Sequence, residues 1–223
     1  MTRLPASRAY QAFLFDMDGT LITSTAAAER VWTRWAARHG LDAAALLSVM
    51  HGVRAADTIR GQNLPDIDLD AEIAWVERAE IEDLDGVAPI PGAVDFVDRL
   101  PPDRWAVVTS ASTPLARARL KAAGVVPPAV LITAEDVERG KPDPAGYLKA
   151  AAALGVDIAD CLVFEDAEAG IKAGEAAGAE VVVVTAAWTH PLATSHPTLA
   201  NYGEARLEIE TDGRLRLSPM DRG

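Results

Sequence analysis

The sequence predicts an α/β fold, a Rossmann-like parallel sheet core with helices on both faces and an inserted α-helical cap. Two observations carry that expectation. Five short apolar runs, AFLF (12–15), WAVVT (105–109), AVLIT (129–133), CLVFE (161–165) and VVVVT (181–185), are unbroken rather than alternating. Such runs suit strands buried on both faces, the condition of a parallel sheet. Helical stretches separate the later runs, and the long gap between Phe15 and Trp105 is helical in character throughout.

The first run ends in FDMDGT, where a Gly-Thr turn follows two carboxylates, Asp16 and Asp18. The insert then spans 24–89, leaving 1–23 and 90–223 as the core. Its segment AAAERVWTRWAARHG (26–40) places Val31, Trp32, Trp35 and Ala36 on one stripe with arginines elsewhere. DAAALLSVMHG and AEIAWVERAEIEDL follow in the same style, and PIPGAVDFVDRL returns to the core. Trp32, Trp35 and Trp75 are read as cap core rather than a sugar-stacking platform. PLARARLKAAG (114–124) has Pro near its start and Gly at its end, as helix boundaries require. PAGYLKAAAALG (144–155) and EAGIKAGEAAG (168–178) complete the alternation, which implies right-handed crossovers. Gly170, Gly174 and Gly178 form one stripe, read as close packing of a helix on the sheet. The tail ARLEIETDGRLRL (205–217) predicts a hairpin turning at Asp212-Gly213.

With 223 residues, 49% hydrophobic and 24% charged, the chain reads as an ordinary globular protein. The formal charge is −12, and residues 66–85 hold nine acids against one base, Arg78. That excess disfavours nucleic acid and anionic membrane as partners, and the run itself is read as a solvated helix face. Cys161 is the single cysteine, so no internal disulfide forms and a reducing, cytoplasmic setting is expected. MTRLPASRAY has no apolar stretch behind its basic residues, and no segment is long and apolar enough for a membrane span. A monomer is expected, with a weak homodimer as the alternative.

Ligands of an open parallel sheet bind beyond the carboxyl ends of its strands. Asp16 and Asp18 follow the first run, Thr109 and Ser110 the second, and Glu165 and Asp166 end the fourth, with Lys141 in the loop RGKPDP. Four carboxylates would then share one lysine. Each unscreened pair costs about 4 kcal/mol at 4 Å and an effective dielectric near 20. A divalent cation resolves that conflict, and hard oxygen donors without nearby His or Cys select Mg²⁺.

The motifs DMDGT, VTSAS, GKPDP and FEDAEAG resemble, in order, the four motifs of the haloacid dehalogenase superfamily, in the branch with a helical cap after the first motif. The match runs from Phe13 to Val184. The segments ERVWTRWAARHGL and HGVRAADT further resemble sugar-phosphate and polyol-phosphate phosphatases, 2-deoxyglucose-6-phosphate phosphatases among them. The resemblance implies a phosphatase acting on a small phosphorylated metabolite. Asp16 would be the nucleophile that becomes phosphorylated. Asp18 would protonate the leaving alcohol and then activate water. Mg²⁺ would bind the Asp16 and Asp166 carboxylates and the Asp18 backbone carbonyl, with Glu165 ligating or supporting. Ser110, the Ala111 amide and Lys141 would hold the transferring oxygens.

One departure lies in ITST, where Thr23-Ser24 replaces the Asp-Ser pair of many capped relatives. Among related activities, a dehalogenase lacks the second acid of the first motif, and a phosphonate hydrolase needs a cap lysine. Asp18 is present, and Lys121, Lys141, Lys149 and Lys172 all lie outside the cap. A β-phosphoglucomutase-like mutase ranks second, although its relatives carry a histidine where Ala28 stands. Phosphoglycolate phosphatase is a further alternative, and a regulatory domain with a dead site is disfavoured by four intact motifs. Specificity is assigned to the cap, with Glu29, Arg30, His51 and Arg54 as candidate substrate contacts.

Overall fold

The computed structural model describes residue 4, residues 8–188 and residues 194–220. Strands β1 (Ala9–Tyr10), β2 (Ala12–Phe15) and β3 (Ile22–Thr23) precede helices α1 (Thr25–His39), α2 (Ala43–Met50), α3 (Ala55–Gly61) and α4 (Leu69–Glu82). After β4 (Ala88–Pro89) and α5 (Ala93–Val97) the alternation begins with β5 (Trp105–Val108), α6 (Thr113–Ala122), β6 (Val130–Ile132) and α7 (Ala145–Leu154). It continues through β7 (Cys161–Glu165), α8 (Glu168–Ala177) and β8 (Glu180–Val184) to β9 (Thr198–Leu199), β10 (Ala205–Ile209) and β11 (Leu215–Pro219).

Each of the five apolar runs forms a strand, and all five join one parallel sheet in the order β6-β5-β2-β7-β8-β9. Strand β9 escaped the pattern because two residues carry no periodicity. Phe13 and Phe15 of β2 enter one hydrophobic cluster, Ala12 and Leu14 the cluster on the opposite face. Alternation of side chains along a strand therefore buries both faces. Phe15 stacks on Phe164 with ring centroids 4.5 Å apart. Its register is opposite both Val107 and Phe164, so the carboxyl ends of β5, β2 and β7 finish side by side.

The insert has a separate hydrophobic cluster that includes Val31, Trp32, Trp35, Ala36, Leu46, Met50, Ile59 and Val76. It is not wholly helical, as the sequence suggested. Its entry and exit pair as antiparallel strands, Ile22 with Pro89 and Thr23 with Ala88. Two chain segments side by side at the neck satisfy their backbone groups on each other. The tail hairpin forms as β10 and β11, with Gly213 at φ +82° in its turn, and β1 adds a third strand to it.

Two readings are corrected. A Cβ on Gly174 would stand 2.9 Å from Val181 Cγ2, so α8 does pack closely there, but Gly178 ends the helix in a left-handed cap at φ +90°. The acidic run is only partly a solvated face. Asp66, Asp70, Glu82 and Asp85 are exposed, and Asp68 caps α4 through Ala71 N. Glu72, Glu77 and Glu80 turn inward, because they share the side of α4 that packs on its neighbours. Glu72 accepts from Trp35 Nε1 at 2.7 Å, and Glu80 is buried.

Among the described residues no helix is long and apolar enough to cross a membrane. Phe15 is completely buried immediately before Asp16. Phe15→Ala should lower unfolding free energy by roughly 3–5 kcal/mol, as large-to-small core substitutions do. Urea denaturation followed by far-UV circular dichroism measures the loss.

Candidate active site

Strand β2 delivers Asp16 to the sheet edge, where its amide donates to Phe164 O at 2.9 Å. The chain then reverses at Gly19, whose φ is +83°. A side chain there would be strained, and its Cβ would collide with the Asp166 carboxylate. The pairing of β2 with β7 brings Asp16 and Asp166 together, and the bare Gly19 leaves room for the Asp166 carboxylate. Asp16, Glu165 and Asp166 each offer a carboxylate oxygen, and the three atoms lie within 4.8 Å of one another.

Lys141 reaches into this group from the loop before α7. Its Nζ donates to Asp16 Oδ1 at 2.5 Å, Glu165 Oε1 at 2.6 Å and Val108 O at 3.1 Å. Glu165 has no oxygen left over. Oε1 also accepts from Tyr147 OH at 2.8 Å, while Oε2 accepts the amides of Asp166 and Ala167 at 3.0 and 3.2 Å. A Cβ on Gly170 would clash with this carboxylate, which explains the glycine at the start of α8.

Charge in this group is under-compensated. Burial, with Glu165 and Asp18 alongside, pushes Asp16 up to about 8 even against Lys141. Burial, then Asp16 and Glu165, raises Asp166 well above the usual carboxylate range. Burial opposes the Lys141 charge, but Asp16 and Glu165 outweigh it and hold its pKa above the ordinary value. The contacts at 2.5 and 2.6 Å fit a protonated lysine between two carboxylates. The remaining negative charge, on hard oxygen donors without sulfur or imidazole, fits a divalent cation such as Mg²⁺.

The Asp18 side chain faces the other way. Its Oδ1 accepts from Ser24 Oγ at 2.5 Å and Arg119 Nη1 at 3.1 Å. It lines a cavity of about 390 Å³ between core and insert, within the usual size range of small-molecule sites. Asp16, Asp166, Ser110, Ala111, His51 and Arg54 line the same cavity, with Lys141 and Glu165 buried beyond its wall. Glu29 and Arg30 lie outside it, on a separate surface hollow. Glu29 Oε1 stands 3.7 Å from His51 Nε2, and Arg30 pairs with Asp83 at 2.5 Å.

The donors expected at phosphate are engaged within the protein. Ser110 Oγ donates to Gly52 O at 2.8 Å, and Ala111 N to Thr109 Oγ1 at 3.1 Å. Arg54 is not a solvated base. It donates to Asp57 at 2.7 Å and to the carbonyls of Val137 and Glu138 at 3.2 and 3.1 Å, fastening the insert to the loop that leads to Lys141.

Residues 10–178 match the family of haloacid dehalogenase-like hydrolases. The chain belongs to that family. It is 43% identical over 180 residues to hexitol phosphatase A of Escherichia coli (strain K12), covering 79% of this chain and 83% of that one. Identity to 2-deoxyglucose-6-phosphate phosphatase 1 of Saccharomyces cerevisiae (strain ATCC 204508 / S288c) is 37% over 196 residues, covering 78% and 80%. Crystalline CbbY from Rhodobacter sphaeroides in complex with phosphate has the same fold, with TM-score 0.73 and 22% identity over 87% of this chain and 96% of that one. The protein is therefore an enzyme, a haloacid dehalogenase-type phosphatase.

Against this family frame, four side chains stand out that the motifs did not reveal. Tyr147 holds Glu165, and Ser24 leaves its own helix uncapped to reach Asp18. Arg119 of α6 joins Asp18 to Glu80 of α4, donating Nη2 to Glu80 Oε1 at 3.1 Å. Arg119 and Glu80 are 5% and 7% exposed, so this pair is buried. Burial raises Glu80, opposed by Arg119. The Arg119 charge is disfavoured by burial, yet Asp18 and Glu80 prevail and raise its pKa. A faint signal existed, since Arg119 shares the apolar face of α6 with Leu115, Ala116 and Leu120.

Breaking a buried pair on one side strands the other charge. Arg119→Met should cost roughly 3–5 kcal/mol of stability, and adding Glu80→Leu should restore most of it. Chemical denaturation of the two variants checks both values.

Proposed function

We propose that this enzyme is a Mg²⁺-dependent phosphatase that hydrolyses phosphomonoesters of small sugars or polyols through a phosphorylated Asp16. One observation carries the reading. The two acids of DMDGT line one cavity but have separate partners, Asp16 bonded to Lys141 within the carboxylate cluster and Asp18 bonded to Ser24 and Arg119. The names of the hexitol and 2-deoxyglucose-6-phosphate phosphatases support the substrate class.

Asp16 and Asp166 would hold the cation with the Asp18 backbone carbonyl, and Glu165, its oxygens already bonded, would brace them. Bound there, Mg²⁺ supplies charge neutralisation between these carboxylates and a phosphate dianion. An Asp16 oxygen attacks phosphorus in line, the bond to the leaving oxygen breaks, and Asp18 gives that oxygen its proton. Asp18 then takes a proton from water, whose oxygen displaces the Asp16 carboxylate and yields inorganic phosphate. Lys141, whose three donors go to Asp16, Glu165 and Val108 O, would meet a transferring oxygen only by exchanging one of these partners for it. Ser110 does the same once its hydroxyl exchanges Gly52 O for substrate. Ala28 lines the cavity with a methyl group, which offers no proton-transfer group of the kind a mutase carries there.

Asp16→Asn should abolish phosphate release while the circular dichroism spectrum is retained. Residual turnover above a few per cent of wild type would exclude Asp16 as nucleophile. Asp18→Asn should slow turnover by roughly 10²–10⁴-fold, the usual contribution of a general acid–base. Intact-mass spectrometry after rapid quench should show phosphorylated Asp16 in that variant. Excess EDTA should silence the wild type, and added Mg²⁺ should restore it.

A further inference from the structure

Asp16 and the Ser110 loop account for the phosphate-binding part of the cavity, but not for the α4 side chains that also line it. Two carboxylates of α4, Glu77 and Glu80, line it together with the apolar side chains of Trp32, Met50 and Ile73. Three arginines also line the cavity, of which Arg119 is buried and Arg54 half-buried in their pairs while Arg60 is exposed. Arg119 is shared by Asp18 and Glu80, Arg54 is held by Asp57 and two carbonyls, and Arg60 pairs with Asp57 at 3.2 Å. A substrate tail bearing a second anion beside Glu77 would meet a carboxylate bonded to Ser112 and to no guanidinium among the described residues.

Glu77 is differently placed from Glu80. Its Oε1 accepts a short hydrogen bond from Ser112 Oγ, two residues beyond Ser110. Its other oxygen takes no hydrogen bond among the described residues and belongs to a side chain on the cavity wall. An ionised carboxylate accepts hydrogen bonds and donates none. Its natural partner is therefore a hydroxyl donor.

We infer that this cavity selects a phosphomonoester whose leaving group is uncharged and hydroxyl-rich, and that Glu77 accepts from one of its hydroxyls while repelling a second anion. The inference rests on the phosphatase reading above and adds the residue and charge rule that set its substrate class. It separates a sugar or polyol phosphate, whose tail carries only hydroxyls, from phosphoglycolate, whose carboxylate lies two carbons from the ester oxygen. Specificity of this sort comes from repulsion as much as attraction.

The test compares kcat/KM of the Mg²⁺-loaded enzyme for a hexitol 6-phosphate, phosphoglycolate and p-nitrophenyl phosphate, in wild type and Glu77→Gln. Wild type should favour the hexitol phosphate over phosphoglycolate by roughly a hundredfold or more, the scale of like-charge rejection at a desolvated site. Glu77→Gln should lower the hexitol-to-nitrophenyl ratio about tenfold, as loss of a charged hydrogen bond predicts, and should raise the phosphoglycolate-to-nitrophenyl ratio. Comparable wild-type rates on hexitol and glycolate phosphates overturn the charge rule. Ratios that do not move in Glu77→Gln overturn the role of that residue. No turnover of any of the three overturns the phosphatase reading itself, an outcome distinct from both.

Discussion

Lys141 is the interaction on which the site depends. A parallel sheet ending with Asp16, Glu165 and Asp166 at adjacent positions gathers negative charge where burial makes it costly. The lysine tolerates its own burial because it contacts two carboxylates and a carbonyl at once. Glu165 in turn spends all of its acceptor capacity on Lys141, Tyr147 and two backbone amides. The cluster is thus a braced group rather than a set of solvated caps. Its aromatic support, Phe15 stacked on Phe164, fixes the strands that carry Asp16 and Glu165.

The turn at Gly19 performs a second task. By reversing the chain without a side chain, it admits the Asp166 carboxylate to one side and sends Asp18 to the other. Asp18 then becomes a junction. Ser24, at the entry of the insert, and Arg119, bonded to Glu80 near the exit, both reach its Oδ1. The groups joined through Lys141 and Arg119 or standing beside them in the cluster are therefore five carboxylates, those of Asp16, Asp18, Glu80, Glu165 and Asp166, against these two cations. The second cation changes the accounting on the Asp18 side but leaves the Asp16 side in deficit.

What was legible in the sequence follows from what is local. Unbroken apolar runs report burial on both faces, so β2, β5, β6, β7 and β8 were readable, and DMDGT and GKPDP marked Asp16, Asp18 and Lys141. Side-chain contacts between distant segments leave no such trace. Arg119 and Glu80 are 39 positions apart and look like ordinary helix charges until two helices are packed together. Glu72, Glu77 and Glu80 were hidden inside an acidic run in which Asp66, Asp70, Glu82 and Asp85 do face water. Arg54 and Glu29 were equally plausible cap contacts on paper, and packing put one on the cavity and the other outside it. The neck strands β3 and β4 are two residues each and pair only because the fold brings both ends of the insert together.

The contacts also divide by where they lie. Those that hold Asp16, from Lys141 and the Phe164 carbonyl, with Glu165 anchoring Lys141, sit wholly within the core. Those around Asp18 and Ser110 cross to the insert, through Ser24, Glu80 by way of Arg119, and Gly52. A nucleophile needs a fixed approach to phosphorus, and a rigid sheet edge provides it. A group that must release and then recover a proton works beside the substrate's leaving oxygen, the part that the insert covers. In the proposed mechanism, with Asp16 as nucleophile on the core and Asp18 as acid–base group tied to the neck, each group's support matches its task. On that reading the core keeps one phosphate geometry, while the insert, which lines the cavity with Glu77 and Trp32, would determine which alcohol is presented to Asp18.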